Sequence, residues 1–324
     1  MKKMLVIFTV CLFAWQTAAC SVTSHPSVAA SRGTPAVEAR SVSYSELLEW
    51  APEPGPVELS RVVAADWAVD RAGLINLDHP KAKVAGMHSG DEEIAVQFFG
   101  LKHPDLGLYM IDSGVAHSFR SSETAPVGTM VRSAMRLNAL DVKVDTQAWL
   151  ASQDSPLQGV FMTHLHVDHI MGLHDVPKDV PLYTGPAEAA GKRFVYLFSQ
   201  GTADDMLEGF SPLQELPFRD NGPVTDTSPL SILDVFGDRS VFAIHVPGHT
   251  QGSLAFLVRT PDGPALVAGD ACHTSWGWKN GVEPGEFNQD LEGSAVSLNK
   301  LKALERSLPG LVVFPGHQHL DKEG

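Results

Sequence analysis

Cysteine is scarce in this sequence and positive charge is in deficit. Among 324 residues there are 3 cysteines, Cys11, Cys20 and Cys272. Three cysteines allow at most one bridge, and none once Cys11 and Cys20 are set aside with the N-terminal segment read below, so a folded body must be stable through its core or through bound metal. Lys and Arg number 24 against 38 Asp and Glu, a formal charge of −14. Attraction to phosphate drives nucleic-acid binding, and this balance opposes it. No nucleic-acid partner is expected. The apolar run from Met4 to about Trp15 falls short of the roughly 20 residues that a membrane span requires. With 44% hydrophobic and 19% charged residues, the chain is neither a coiled coil, nor collagen-like, nor a disordered polymer. Its length suffices to bury a substantial core, in one large domain or two modest ones.

The first twenty residues read MKKMLVIFTVCLFAWQTAAC. A basic start (Lys2, Lys3), an apolar run and the small residues Thr17, Ala18 and Ala19 form a secretory signal layout. Residues 1–19 are therefore expected to be a signal peptide. Cys20 after Ala18-Ala19 resembles the lipobox of bacterial lipoproteins, in which that Cys is lipidated and becomes the new N-terminus; ordinary cleavage or an uncleaved anchor are the alternatives. Loss of Lys2 and Lys3 would leave a charge near −16 (22 minus 38). The stretch Ser21 to Arg40, rich in Ser, Ala, Thr and Pro, suits a flexible tether. An exported protein is expected, periplasmic or held at the outer membrane through a lipid on Cys20.

Downstream the periodicities change. Ser43 to Trp50 predicts a short helix ended by APEPGP. The apolar runs Arg61–Ala64, Ile94–Phe99 and Leu108–Ile111, bounded by turn residues, predict strands, with KHPDLG as a hairpin loop. Met130 to Leu140 has helical spacing, and Gln158–Met162 predicts a buried strand. Pro186 to about Leu216 reads as a helix pair, packing as cover, serving as a lid over a pocket, or both. Ser240–Ile244, Ser253–Val258, Ala265–Ala268 and Leu311–Phe314 predict strands, and Ala295–Leu308 an amphipathic helix. Strand clusters with interleaved helices favour a layered α/β sandwich.

Chemistry concentrates in Thr163-His164-Leu165-His166-Val167-Asp168-His169, directly after an apolar strand. Alternate positions of an extended segment share a face, so His164 and His166 can reach one ion together. Asp168 and His169 project differently and suit a second. Imidazole and carboxylate are natural ligands of zinc and related divalent ions. Burying so many polar groups without such partners would cost several kcal/mol, on the order of 2–7 for each unpaired group. Three further pieces each end an apolar strand: His249 in Val246-Pro247-Gly248-His249-Thr250, Asp270 in Ala268-Gly269-Asp270, and His317 in Phe314-Pro315-Gly316-His317.

In this order the motifs resemble the metallo-β-lactamase-fold superfamily of hydrolases, from roughly Val57 to the C-terminus. HxHxDH is the signature; PGHT, GD and PGH follow, and Asp112-Ser113-Gly114 stands at the usual early Asp-containing turn. The resemblance implies an α/β fold, a four-layer αββα sandwich with a helical lid-like insertion, over residues 57–324. Residues 20–56 would be tether and a short N-terminal segment. It implies two divalent cations, zinc first and iron or manganese as alternatives. One would take His164, His166 and His249, the other Asp168, His169 and His317, with Asp270 bridging. Two cations roughly 3.5–4 Å apart share a water, lower its pKa toward neutrality and stabilise charge growing on a carbonyl or phosphoryl oxygen. Asp168 would orient that water or shuttle a proton. Each ligating imidazole needs an acceptor for its other nitrogen, a role open to Asp112, which otherwise caps a local turn.

The resemblance also narrows the substrate. Asp270 stands where the main zinc β-lactamases carry Cys or Ser. Acidity and export argue against RNA-processing nucleases. The lactonases resemble the next segment as Asp-Ala-x-Tyr; here it is Asp270-Ala271-Cys272-His273, with His273 in the Tyr position. His273 would hydrogen-bond the substrate or act as acid there, or else be a loop residue. Trp276 and Trp278, read in a Gly-containing loop, either wall an apolar pocket or pack beneath the lid. The expected activity is hydrolysis of an ester-like bond in a small molecule, lactone or carboxylic ester ahead of thioester and β-lactam. A mononuclear-iron oxidoreductase of the persulfide dioxygenase type is the alternative, against which the intact Asp168 and His317 speak; a metal-stabilised binding protein without turnover is another.

Overall fold

The computed structural model describes residues 27–30, 39–190, 196–218 and 225–320. The expected signal peptide and the lipid candidate Cys20 lie outside the described residues. In chain order the strands are β1 (Ser27–Ala29), β2 (Arg40–Val42), β3 (Glu58–Asp70), β4 (Asp91–His103), β5 (Gly107–Ile111), β6 (Asp141–Val142) and β7 (Leu157–Phe161). They continue as β8 (Leu182–Thr184), β9 (Leu213–Glu215), β10 (Ser231–Asp234), β11 (Val241–His245), β12 (Leu254–Thr260), β13 (Gly263–Gly269) and β14 (Val312–Pro315). Two sheets result, ordered β1-β9-β8-β7-β5-β4-β3-β6 and β14-β13-β12-β11-β10-β2.

Side-chain alternation builds four layers from these two sheets. Along β4, Phe99 and Leu101 face the second sheet, while Ile94, Val96 and Phe98 face the helices outside the first. Along β12, Leu254, Phe256 and Val258 point inward, and Ala255 and Leu257 point out toward the helix Leu291–Ser307. Strands buried on both faces carry continuous apolar runs, as Val241–Ile244 does in β11 and Leu254–Val258 in β12. Between the sheets, Phe161 is the centre of an aromatic group, 5.1–5.9 Å from the rings of Tyr109, Tyr183, Phe236 and Phe256. The layers are helix, sheet, sheet, helix, as expected. Among the described residues no helix is long and apolar enough to cross a membrane.

Several expectations need correction. The Ser21–Arg40 tether contains β1, parallel to β9, and leads into β2, antiparallel to β10, so it edges both sheets. Edge pairing uses backbone groups and needs no apolar run, which is why composition concealed it. The helix Tyr44–Trp50, with a Ser43–Glu46 capping box, buries Leu47 in the second core, so the packed body starts before residue 57. The expected helix Met130–Leu140 stops at Ala134, because Arg136 is left-handed (φ 53°). The expected helix pair at 186–216 is a 3-10 turn (Glu188–Ala190), one helix (Tyr196–Leu207) and β9; residues 191–195 lie outside the described residues. That helix packs on the short helix Val167–Ile170, which carries Asp168 and His169.

Trp276 and Trp278 lie in a helix, Ser275–Asn280, N-capped by Thr274, and not in a loop. Trp278 is buried in the second core, donates Nε1–H to Glu305 at 2.9 Å and carries the Lys302 ammonium over its ring. Its role is packing. Trp276 is half-buried against the first core.

Candidate metal centre

Parallel strand pairs place the chemistry at one edge of the sandwich. β5 and β7 are parallel, as are β13 and β14, so within each pair the carboxyl ends, where loops carry functional groups, fall together. Asp112 follows β5, the HxHxDH loop follows β7, Asp270 follows β13 and His317 follows β14. His249 arrives from the turn after β11. Chain separations of 85 residues between His164 and His249 collapse to 3.1 Å between Nε2 atoms.

Two donor groups form around one carboxylate. His164, His166, His249 and Asp270 bring ligand atoms within 4.8 Å of one another, and so do Asp168, His169 and His317. Asp270 Oδ2 lies 3.6 Å from His164 Nε2, 3.3 Å from His249 Nε2 and 3.3 Å from His169 Nε2. His317 Nε2 is 3.3 Å from Asp270 Oδ1 and 3.4 Å from Asp168 Oδ2. Donors about 2.0–2.1 Å from a tetrahedral ion stand roughly 3.3 Å apart, the spacing found here. His169 Nε2 and Asp270 Oδ1 are buried without a hydrogen-bond partner, a costly arrangement unless a cation completes it. The residues fit two divalent ions.

The far sides of the rings are also wired. Asp112, left-handed at φ 58°, takes His169 Nδ1 at 2.8 Å and accepts from Thr163 N at 2.7 Å and from Thr163 Oγ1. It stands in the role that a ligand imidazole needs filled. His317 Nδ1 meets the Ala95 carbonyl at 3.0 Å, and His249 Nδ1 meets Asn288 Oδ1 at 3.3 Å. His273 is buried with Nε2 2.9 Å from Asp270 Oδ2, facing the carboxylate rather than open space. Other histidines stay outside: His319 stacks on Phe314, His174 meets the Asp205 carbonyl, His245 the Gln251 carbonyl, and His117 pairs with Asp145.

Three supports escaped the sequence reading. Asn288 holds His249. Buried Glu188 accepts from Leu165 N at 2.8 Å, Thr250 Oγ1 at 2.7 Å and Gly252 N at 2.9 Å, joining the two histidine loops. Gly316 is glycine because a Cβ there would overlap Asp270 Oδ1. The neighbouring Pro-Gly-His pattern was visible; what the glycine makes room for was not. Gly316→Ala is expected to leave the melting temperature within a few degrees, since the overlap is with a side-chain tip and the Gly269 carbonyl oxygen, at 3.1 Å, need give only slightly. Displacing Asp270 by about 1 Å should nevertheless cost on the order of 100-fold in activity. Thermal melts beside kcat/KM separate the two effects.

Burial pushes the His164 and His249 imidazoles well below their ordinary 6.5, and His166 down to about 4. Burial opposes protonation of His169 too, but Asp270, Asp112 and Asp168 outweigh it and hold His169 well above 6.5. His317 is raised as well, Asp270 and Asp168 overcoming burial. Asp270 stays ionised far below the carboxylate range despite burial, because His273, His317 and His169 face it. In metal-free protein the depressed histidines take up protons on unfolding, so their contribution is lost as pH falls from about 6.5 toward about 4. The raised pair contributes fully below 6.5 and loses that contribution as pH rises toward its folded values. The metal-free melting temperature should therefore peak near pH 6.5 and decline on both sides. Zinc should flatten the alkaline limb, because ligating imidazoles are already neutral. Melts from pH 4 to 9, with and without chelator, check this.

These two buried donor groups about a shared carboxylate, at the edge of an αββα sandwich, are the mark of a metal-dependent hydrolase. Residues 107–317 match the family model described as the Metallo-beta-lactamase superfamily, and the chain belongs to that superfamily as a metal-dependent hydrolase. It is 27% identical over 268 residues to the N-acyl homoserine lactonase AttM of Rhizobium johnstonii, covering 76% of this chain and 90% of the relative. Its fold matches a quorum-quenching N-acyl homoserine lactone lactonase with TM-score 0.57 at 16% identity, covering 84% of this chain and 96% of the other. An N-acyl homoserine lactone hydrolase with N-hexanoyl-L-homoserine at its catalytic metal center matches with TM-score 0.55 at 17% identity, covering 82% and 93%.

Proposed function

We propose that this protein opens the ring of N-acyl homoserine lactones or closely similar lactones, with two divalent cations, zinc first, held by the seven residues His164, His166, Asp168, His169, His249, Asp270 and His317. The observation that carries the reading is the Asp270 carboxylate, which faces both donor groups at 3.3–3.6 Å. When bound, such a cation pair lowers the pKa of a shared water and polarises the ester carbonyl. The chain supplies the rest. His164, His166 and His249, held neutral by burial, present lone pairs to one cation. Asp112 fixes the ring of His169 through Nδ1.

Asp168 is the most open carboxylate of the centre, with its side chain 21% exposed. It would take the proton of the attacking water and return it to the ring oxygen as that oxygen leaves. The water oxygen bonds to the carbonyl carbon, the ester C–O bond breaks, and the products are a carboxylate and an alcohol on one molecule, the water's second proton being released to solvent. The likeness to AttM over most of both chains supports a lactone over a thioester, β-lactam or phosphodiester. The basic start, apolar run and Ala18-Ala19-Cys20 further support export, with a lipid on Cys20 holding the protein at a membrane.

The test is a panel of N-acyl homoserine lactones, aryl esters, thioesters, β-lactams and phosphodiesters, assayed with zinc-loaded full-length protein. Lactones are expected to give the highest kcat/KM by at least about tenfold, roughly 1.4 kcal/mol of extra transition-state stabilisation. A thioester or phosphodiester ahead by that margin would overturn the substrate assignment.

A further inference from the structure

The surroundings of His273 fit a metal ligand better than a group presented to substrate. Its Nδ1 lies 3.2 Å from the carbonyl of Leu74, at the end of the short helix Arg71–Leu74. A carbonyl only accepts, so Nδ1 must carry the hydrogen. In a neutral ring Nε2 then holds a bare lone pair, aimed at Asp270 Oδ2 from 2.9 Å. Two acceptors at that distance repel one another, and both side chains are only 1–2% exposed, so water does not relieve the contact. Either a proton on Nε2, donated to the carboxylate, or a metal cation bound by both groups relieves the contact. His317 repeats the pattern: its Nδ1 faces the Ala95 carbonyl and its Nε2 faces Asp270 at 3.3 Å. The two rings lie nearly parallel, 21° apart with centroids at 5.4 Å. A backbone carbonyl behind the ring and a free nitrogen in front is the arrangement of metal-ligating histidine. Asp270, His273 and His317 bring their ligand atoms within 4.8 Å of one another.

We propose that His273 Nε2 is an additional ligand of the second cation, joining His317, His169, Asp168 and Asp270. The proposal rests on the two-cation reading above. It assigns position 273 to the metal, so the chain has no hydrogen-bonding acid for the substrate there. Phe287, whose ring stands edge-on to His273 at 6.3 Å, closes its outer side.

Full-length, metal-free protein titrated with cobalt(II) and with zinc(II) tests this, comparing wild type with His273→Ala and His273→Tyr. In both variants the first cation should bind as in wild type. The second should weaken by at least ~100-fold, the upper end of what loss of a mere outer partner costs. The visible spectrum of the second cobalt should change with its ligand count. Unchanged affinity and an unchanged second-cobalt spectrum would overturn the proposal, even if activity fell. Wild type binding fewer than two cations would instead sink the two-cation reading. NMR of unsubstituted protein, labelled at its histidine nitrogens and loaded with spin-active cadmium, requires no variant to fold. Coupling of cadmium to a His273 nitrogen supports the assignment, and its absence while His317 couples refutes it.

Discussion

Replacing Asp270 with asparagine is expected to lower kcat/KM by at least ~10³-fold, about 4 kcal/mol of transition-state stabilisation, and to leave one tightly held cation per chain. The carboxylate faces five imidazole nitrogens, those of His164, His169, His249, His273 and His317, at 2.9–3.6 Å. An amide of the same shape offers a single neutral oxygen, and its NH₂ is a donor with no lone pair for a cation. The shared ligand would thus serve one site at most. Asp270→Glu should not rescue, because the carboxylate already abuts Gly316 and an added methylene has nowhere to go. Elemental analysis after gel filtration, with a proton-release assay, reads both outcomes. Two retained cations with activity within tenfold of wild type would remove Asp270 from its assigned place.

The parts of this centre that were legible in the sequence share one trait. Each is a chemistry-bearing residue at the carboxyl end of an apolar run, as with Phe161 before the HxHxDH loop, Ala268 before Asp270 and Phe314 before His317. A long buried strand announces itself through its side chains. Short edge strands such as β1, β2 and β6 do not, because they are specified by backbone pairing with neighbours far away in the chain. The four layers followed from the motifs and the strand pattern together. Trp278 was misread because Ser275-Trp276-Gly277-Trp278 resembles a loop, whereas Thr274 caps a helix and Gly277 fits between Thr274, Val282 and Cys272. Asp112 was legible as a turn residue with a metal-supporting alternative, and its left-handed backbone aims the carboxylate at His169.

Glu188 was not legible, and its removal is expected to produce the largest loss of stability. In sequence it stands in Gly185-Pro186-Ala187-Glu188-Ala189-Ala190, an ordinary helix start. Its meaning appears only when loops 23 and 62 residues away close on it. Oε1 accepts from the Leu165 N–H, between His164 and His166, while Oε2 accepts from Thr250 Oγ1 and the Gly252 N–H, just beyond His249. Burial raises the carboxyl pKa, and those three donors offset only part of the rise. Glu188→Ala leaves the Thr250 hydroxyl its contact with Ser253 Oγ at 2.7 Å but strands the two buried N–H donors of Leu165 and Gly252 at roughly 1–3 kcal/mol each, for a loss on the order of 4 kcal/mol. That is a large share of the roughly 5–15 kcal/mol that holds a domain folded. Glu188→Gln keeps one oxygen but turns an NH₂ toward another donor, so it should fall between alanine and wild type. Because the same carboxylate sets His164 and His166 against His249, the first cation should weaken along with the fold. Saturating zinc, which binds only the folded chain, should therefore recover part of the lost stability. Urea unfolding of wild type, Glu188→Gln and Glu188→Ala, each with chelator and with zinc, gives the ranking. Should the alanine variant unfold within about 1 kcal/mol of wild type in chelator, the scale of a surface change, Glu188 would be no more than a neighbour of the two loops.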